Sequence, residues 1–307
     1  MPDLIMDSQA AIGFVLSQTA HIEREVNEAQ YPDIQYPFLI PVDTSAHPFA
    51  KTVTYFSGDR FGRMDWIDGN SGDIPMVGSE RQKHETDVHM AGLGYSYGFE
   101  DIEHARMLGR SLPSEDAMVA RRGSEEHMDD LALRGSARKG FEGLINNSTV
   151  TAGAAIAGDW DAATDAQVIK DVNDALYAVY ADSNRTSDAD TLLMSPDRMN
   201  LLATRRLGDT GMTLLSFLRI NNTYTARTGQ ALTMRAVAGL ETAGVGDTQR
   251  LVAYRRNPQV LKLHMPMPHR FLRPREDKSL VVSVPGVIRT GGLDIRRPKE
   301  VRYTDGV

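Results

Sequence analysis

The chain has 307 residues, no cysteine, 41% hydrophobic and 24% charged residues, and a formal net charge of −7. This is an ordinary globular composition with enough chain for a sizeable core, and it excludes disulfides, a thiolate nucleophile and cysteine-ligated zinc. No apolar run approaches the roughly 20 residues that span a bilayer.

The N-terminus opens on Asp3 and Asp7, where a secretory signal carries basic residues, so the chain is expected to be made in the cytoplasm. From Ser8 the apolar positions Ala11, Phe14, Val15, Ile22, Val26 and Ala29 predict an amphipathic helix. Pro32, Pro37 and Pro41 argue against helix over 31–41 and predict an extended arm. Residues 51–56, KTVTYF, alternate and are β-branched, the pattern of a strand. Residues 57–78 are rich in Gly and Asp. A period of two resumes over 84–99, with His89, Ala91, Leu93, Tyr95, Tyr97 and Phe99 on one face. The pattern is that of a long hairpin, and Trp66 and Ile67 near its tip are too apolar to face water. The tip is therefore expected to rest on something.

A short helix over 100–108 precedes a long one, which Pro113 opens and which can run to about Lys139. At about 1.5 Å per residue it would be roughly 40 Å long. Ala117, Ala120, Ser124, Met128 and Leu131 give it only a narrow stripe to bury. Gly123 and Gly135 each cost about 1 kcal/mol in a helix interior, and close approach of another backbone is the expected reason for them. So long a helix with so little apolar face points to other copies of the chain as its partners.

A compact α/β unit follows. Thr164 and Gln167 frame a capping box, and Val168, Val172, Ala175, Leu176 and Val179 follow at helical spacing. Residues 191–194 read as a short buried strand, and Ser195-Pro196 caps and opens another helix. Strands are predicted at 232–238, 250–255, 260–265 and 280–284, then an extended segment over 287–303 that bends at Gly291-Gly292.

The charge is uneven. Residues 1–195 balance to −17 and residues 196–307 to +10. Three readings stay open: solvated charge unevenly spread, an acidic part of one copy docking on a basic part of the next, and nucleic-acid binding by the C-terminal third.

Three stretches invite a chemical reading. His84 and His89 enclose Glu-Thr-Asp-Val, but zincins need a spacing of four on a helix, and here the spacing is five on a strand, which sends the rings to opposite faces. Asp209-Thr-Gly has the aspartic-protease tripeptide without a second copy in the chain; that chemistry needs two carboxylates sharing a proton. A protease dimer dependent on Asp209 is the enzyme alternative, and turn geometry the simpler one. Asp68 to Asp73 resembles a calcium loop, but Gly72 stands at the fifth ligand position and Ser79 at the twelfth. No active site, cofactor or metal is supported, and the chain is not expected to be an enzyme.

The order of elements and five local stretches carry a resemblance. SEEHMDDLALRG at 124–135 followed by GFEGLINN at 140–147, MSPDRMNLL at 194–202, PMPHRFL at 266–272 and RTGGLDI at 289–295 are similar to those of the major capsid proteins of tailed bacteriophages. These have the Hong Kong 97 fold, which encapsulin shells share. The resemblance implies an α+β fold with an N-terminal arm (1–48), an E-loop hairpin (49–90), a P domain with a long spine helix (91–150), an α/β A domain (151–265) and returning P-domain strands (266–307).

It implies a structural function: a capsid subunit that self-assembles into pentamers and hexamers of an icosahedral shell around double-stranded DNA, bound without sequence specificity. Its place would be the virion, after assembly in the host cytoplasm. Portal, scaffolding and decoration proteins are the further partners implied, with no membrane. The alternative is an encapsulin-like compartment holding cargo enzymes. Arg60, Arg63, Asp65, Trp66, Ile67 and Asp68 are expected to contact the neighbouring subunit. Two departures stand out. Only about 50 residues precede the first strand, short for the cleaved scaffolding extension of some relatives. No asparagine follows Asn257 to meet Lys51 or Lys83, so the Lys–Asn crosslinking of some relatives is not expected.

Overall fold

A computed structural model describes residues 33–61, 64, 66, 76–98, 100, 102, 107, 115–278 and 281–307. The chain divides into two compact units, Met1–Asp33 and Ile34–Val307. Of the first only Asp33 is described, so the helix expected from Ser8 lies outside the described residues.

The second unit opens with a departure from expectation. Tyr36–Leu39 form a single-turn helix, α1, in place of an extended arm. Pro37 sits in its first turn, where an N–H has no intrahelical acceptor to lose. After β1 (Val42–Asp43) come the two hairpin strands, β2 (Thr52–Phe61) and β3 (Gly78–Asp87). The period-two run then breaks at Val88 and at Leu93-Gly94 into β4 (His89–Gly92) and β5 (Tyr95–Gly98). Glu100, Ile102 and Met107 are helical.

The long helix, α2, is Glu115–Leu133, roughly 28 Å by its rise per residue. It stops well short of Lys139. Gly135 lies outside it at φ 77, in β6 (Gly135–Ser136), which pairs with β7 (Phe141–Glu142) around a 3-10 turn at Ala137–Lys139. A Cβ on Gly135 would sit 2.3 Å from Phe141 O, so backbone approach explains this glycine; at Gly123 the neighbour is instead the Leu93 side chain, at 2.8 Å. The buried residues of α2 among those described are Ala120, Ser124, Met128, Leu131, Ala132 and Leu133, while Ala117, expected in the stripe, is half-buried.

The remaining elements are β8 (Thr151–Ala154), α3 (Asp165–Asp182), β9 (Thr191–Met194), α4 (Pro196–Thr204), α5 (Leu214–Ile220), α6 (Thr223–Thr228), β10 (Thr233–Ala236), β11 (Arg250–Tyr254), β12 (Leu261–His264), β13 (Met267–Phe271), β14 (Arg275–Lys278), β15 (Val281–Val284), β16 (Gly286–Thr290), β17 (Gly292–Ile295) and β18 (Val301–Asp305). The Thr164 N–H donates to Gln167 Oε1 at 2.8 Å, the capping box that opens α3, and Ser195 Oγ accepts from Arg198 N at 3.2 Å to open α4.

Five strands form one mixed sheet in the order β10-β9-β11-β18-β8. Alternation splits its side chains between two cores. Leu192, Met194, Leu251 and Ala253 face Trp160 and helices α3, α4 and α5; Leu193, Val252, Tyr254, Val301 and Tyr303 face α1, Met128 and Leu131 of α2, and β12. Three-stranded sheets β1-β12-β17, β13-β16-β4 and β14-β15-β5 complete the body. No described helix is long and apolar enough to cross a membrane.

Candidate functional site

The hairpin is the feature that a folded body alone does not explain. Strands β2 and β3 pair without a bulge from Thr52 opposite Asp87 to Phe61 opposite Gly78. Apolar side chains stay outside along it and beyond it: Phe56 is 67% exposed, Met64 96%, Trp66 100%, Met76 83% and Val77 79%. Of the residues expected to contact a neighbour, Arg60 lies in β2 opposite Ser79 and Trp66 is exposed. Arg63, Asp65, Ile67 and Asp68 lie outside the described residues, as does the Asp68 to Asp73 loop.

The root of the hairpin is clamped. Tyr55 stacks on His84 at 4.7 Å between ring centroids, and the Arg296 guanidinium lies 4.2 Å above the Tyr55 ring. Val88 N donates to Lys51 O at 2.8 Å. Arg289 donates to Pro48 O and Ala50 O, both at 2.8 Å, tying the incoming chain to β16.

Behind that root lies a half-buried ionic row, with His264 buried at its centre, that periodicity could not reveal. Asp43 of β1 is paired with Lys262 of β12. His264 places Nδ1 3.7 Å from Asp43 and Nε2 3.3 Å from Asp294, and Arg296 Nε reaches Asp294 at 2.9 Å. Burial by itself raises the Asp43 carboxyl, but hydrogen bonds from Lys262 and Ser45 outweigh it and hold the group well below the usual carboxylate range. Burial likewise opposes, and bonds from His264 and Arg296 overcome it, at Asp294, whose carboxyl is also lowered.

Helix α2 anchors the arm with polar groups. Asp129 Oδ1 accepts from the backbone N–H of Gln35 at 2.8 Å and of Tyr36 at 2.7 Å, satisfying donors that α1 leaves open. The Tyr36 hydroxyl donates to Glu125 Oε2 at 2.7 Å; burial and then Glu125 push that hydroxyl above its usual range.

Next to the hairpin root, β4, α2 and the turn through Phe141 enclose a cavity of about 340 Å³. Ala91, Leu131 and Phe141 give it apolar walls, and Arg138 and Lys139 stand at its rim. The Phe141 ring meets His89 edge-on at 5.4 Å.

Where they are described, the motifs that invited a chemical reading lie in a turn and in strands. Asp209 is exposed in a turn closed by Leu207 N to Met212 O at 3.0 Å, with Gly208 N bonded to Asp165 Oδ2 at 3.1 Å. His84 bonds Ser57 Oγ at 2.8 Å, apart from His89 on Phe141. Among the described residues no group of three His, Asp or Glu side chains could hold a metal ion.

Comparison with known proteins agrees with this picture of a structural subunit. No curated protein matches the chain. Among solved structures, the capsid of Myoviridae phage XM1 superposes with a TM-score of 0.78 at 17% identity, over 95% of this chain and 98% of that one. A structure from Mycobacterium phage Bobi gives 0.61 at 13% identity, over 95% and 96%. The capsid of an empty GTA particle gives 0.60 at 15%, over 96% and 97%. At such identities the likeness is one of fold: a mixed helix-and-sheet architecture shared with phage capsids. The family model described as "Major capsid protein" matches residues 62–307. Spanning most of the sequence, that match places the chain in the major capsid protein family.

Proposed function

We propose that this major capsid protein closes a phage head by binding copies of itself head to tail into rings of five and six, which tile an icosahedral shell around double-stranded DNA. The observation that carries the reading is the hairpin: a root clamped by Arg289, Arg296 and Val88, and a far end whose Met64, Trp66, Met76 and Val77 are almost wholly exposed. Exposed apolar side chains favour burial against another surface. A contact between two different patches of identical subunits propagates, and it closes when the rotation allows.

On this reading the hairpin is the E-loop, α2 the spine helix of a P domain, and the five-stranded sheet with α3 to α6 the A domain. Val301–Asp305 counts with that sheet through its pairing with β8 and β11. Arg60, Arg63, Asp65, Trp66, Ile67 and Asp68 form the inter-subunit contact. Packaged DNA meets the shell through charge without base readout, and portal, scaffolding or decoration proteins complete the head. The family match favours this over a compartment for cargo enzymes.

Electron microscopy of the purified chain, with its mass from light scattering, tests the proposal. Closed shells or five- and six-membered rings are expected, with scaffolding protein co-expressed if the chain alone stays small. A protein that remains monomeric under both conditions defeats it.

A further inference from the structure

Many arginines of the body are answered by a carboxylate: Arg198 meets Asp159 and Asp161, Arg227 meets Asp188, and Arg302 meets Asp182. The cavity beside the hairpin root is different. Arg138 and Lys139 stand exposed at its rim and His127 of α2 lines it. None of these three side chains has a hydrogen-bond or ion-pair partner among the described residues. The acids of the same elements are taken elsewhere. Glu125 and Asp129 hold Tyr36 and Gln35, Glu126 pairs with Arg122 at 3.0 Å, and Asp130 pairs with Arg134 at 2.8 Å. Glu142 of β7 accepts from Ser148 N and Oγ, both at 3.0 Å.

We infer that this cavity is a binding site for a small amphipathic anion, a flat apolar body carrying one acidic head. The site is independent of the shell reading and stands or falls without it.

The body follows from the walls. Ala91, Leu131 and Phe141 are apolar, and a volume of about 340 Å³ lies at the small end of ligand pockets. The aromatic wall is preformed: the Phe141 ring is held between His89 at 5.4 Å and the bare Cα of Gly292, where a Cβ would lie 2.8 Å from that ring. A ring entering here can stack offset on Phe141.

The head follows from the rim. No residue lining the cavity is acidic, so an anion meets attraction without repulsion. The Arg138 guanidinium offers a planar fork to an acidic head, and Lys139 a mobile point charge beside it. Ser136, half-buried in the wall, has a hydroxyl without a partner among the described residues and can donate to the same head. The Thr290 hydroxyl is already engaged, donating to His264 O at 2.9 Å and accepting from Gly292 N at 3.1 Å. Because β4 forms one side of the site and α2 with the β6–β7 turn the other, an occupant ties them together and stabilises the folded chain by linkage.

The probe is 8-anilinonaphthalene-1-sulfonate, a sulfonate on fused rings, added to the purified folded chain. Saturable emission at one site per chain is expected, weakening as salt is added. Arg138→Gln with Lys139→Gln should weaken binding about tenfold or more, with the circular dichroism and the Tm of the free chain unchanged, since neither side chain is engaged in the fold. 1-Naphthoate should displace the probe about tenfold better than 1-naphthol, which has the same rings and no charge. Absence of saturable binding, binding that the double variant does not weaken, or equal competition by the two naphthalenes overturns the inference.

Thermal unfolding gives a readout that does not depend on the probe. 1-Naphthoate is expected to raise the Tm of the unmodified chain and to leave that of the double variant nearly unmoved. Equal rises in the two would put the ligand elsewhere and overturn the site, whatever electron microscopy says of the shell.

Discussion

Arg250 and Asp305 lie opposite each other across β11 and β18 and bind through two contacts, Nε to Oδ1 at 2.6 Å and Nη2 to Oδ2 at 2.8 Å. Both are buried. Arg250 Nη1 also donates to Ile145 O at 2.7 Å, and its guanidinium lies 4.3 Å over the Tyr303 ring. The pair thus ties the central sheet to the segment that follows α2. Removing one partner strands the other charge away from water, so Arg250→Ala is expected to cost about 3–5 kcal/mol. Replacing both by apolar residues should cost far less. Denaturant midpoints followed by Trp160 emission measure both, and equal losses would refute the argument.

The arm should detach before the body. Asp129→Ala removes the acceptor of two backbone N–H groups, a loss of about 1–2 kcal/mol. Faster amide exchange is expected over 34–40, with α3 and β9 unaffected. Tyr36→Phe, which gives up only the bond to Glu125, should show less. Unchanged protection of 34–40 in Asp129→Ala would mean that apolar packing of Leu39 and Ile40 alone holds the arm.

Acid acts through the ionic row behind the hairpin. The Asp43 and Asp294 carboxyls sit below their ordinary value of 3.8 in the folded chain. A depressed carboxyl contributes stability that is complete above the unfolded value and is lost as pH falls through the folded one. The contribution is therefore whole above about pH 4 and fades below it. Asp43→Asn and Asp294→Asn should lower Tm at pH 7 and flatten its decline under acid. A decline as steep as in the unmodified chain would place the acid sensitivity elsewhere.

Two glycines should respond oppositely to alanine. At Gly94 a Cβ would lie 2.5 Å from Val284 O and 2.8 Å from Pro285 Cα, both backbone atoms. Gly94→Ala is expected to cost about 1–3 kcal/mol or more as the β5–β15 contact opens. At Gly58 the nearest atom is Glu80 O at 3.7 Å, an ordinary contact, and Gly58→Ala should be neutral or slightly stabilising because glycine weakens a strand interior. Thermal unfolding of the two variants side by side decides this.

What the sequence revealed was local. The Thr164–Gln167 box, the Ser195 cap and the β9 and β11 strands follow from residues within a few positions of one another, and the structure has them all. Helix α1 was hidden because the acceptor that steadies it, Asp129, is 93 residues from Tyr36, while three prolines argued locally for extension. Helix α2 was read too long because the strand pairing of Gly135 with Glu142, which ends it, has no periodic signature. The candidate site divides the same way. An apolar pair at a hairpin tip is visible in a one-dimensional pattern, whereas the ionic row of Asp43, Lys262, His264 and Asp294 and the cavity beside Phe141 exist only once distant strands are laid together.

Strand β8 stands at the edge of its sheet, with Thr151 opposite Arg302 of β18. A ribosome adds about 5–20 residues per second, so the roughly 150 residues between those strands take about 8–30 s to emerge. Throughout that interval β8 has no strand to join, and β11, once made, has one side open until β18 follows. The body cannot close until the last strand is translated, although the hairpin has long since left the ribosome. Synthesis itself therefore acts as a clock: the hairpin emerges well before the body that carries it can close.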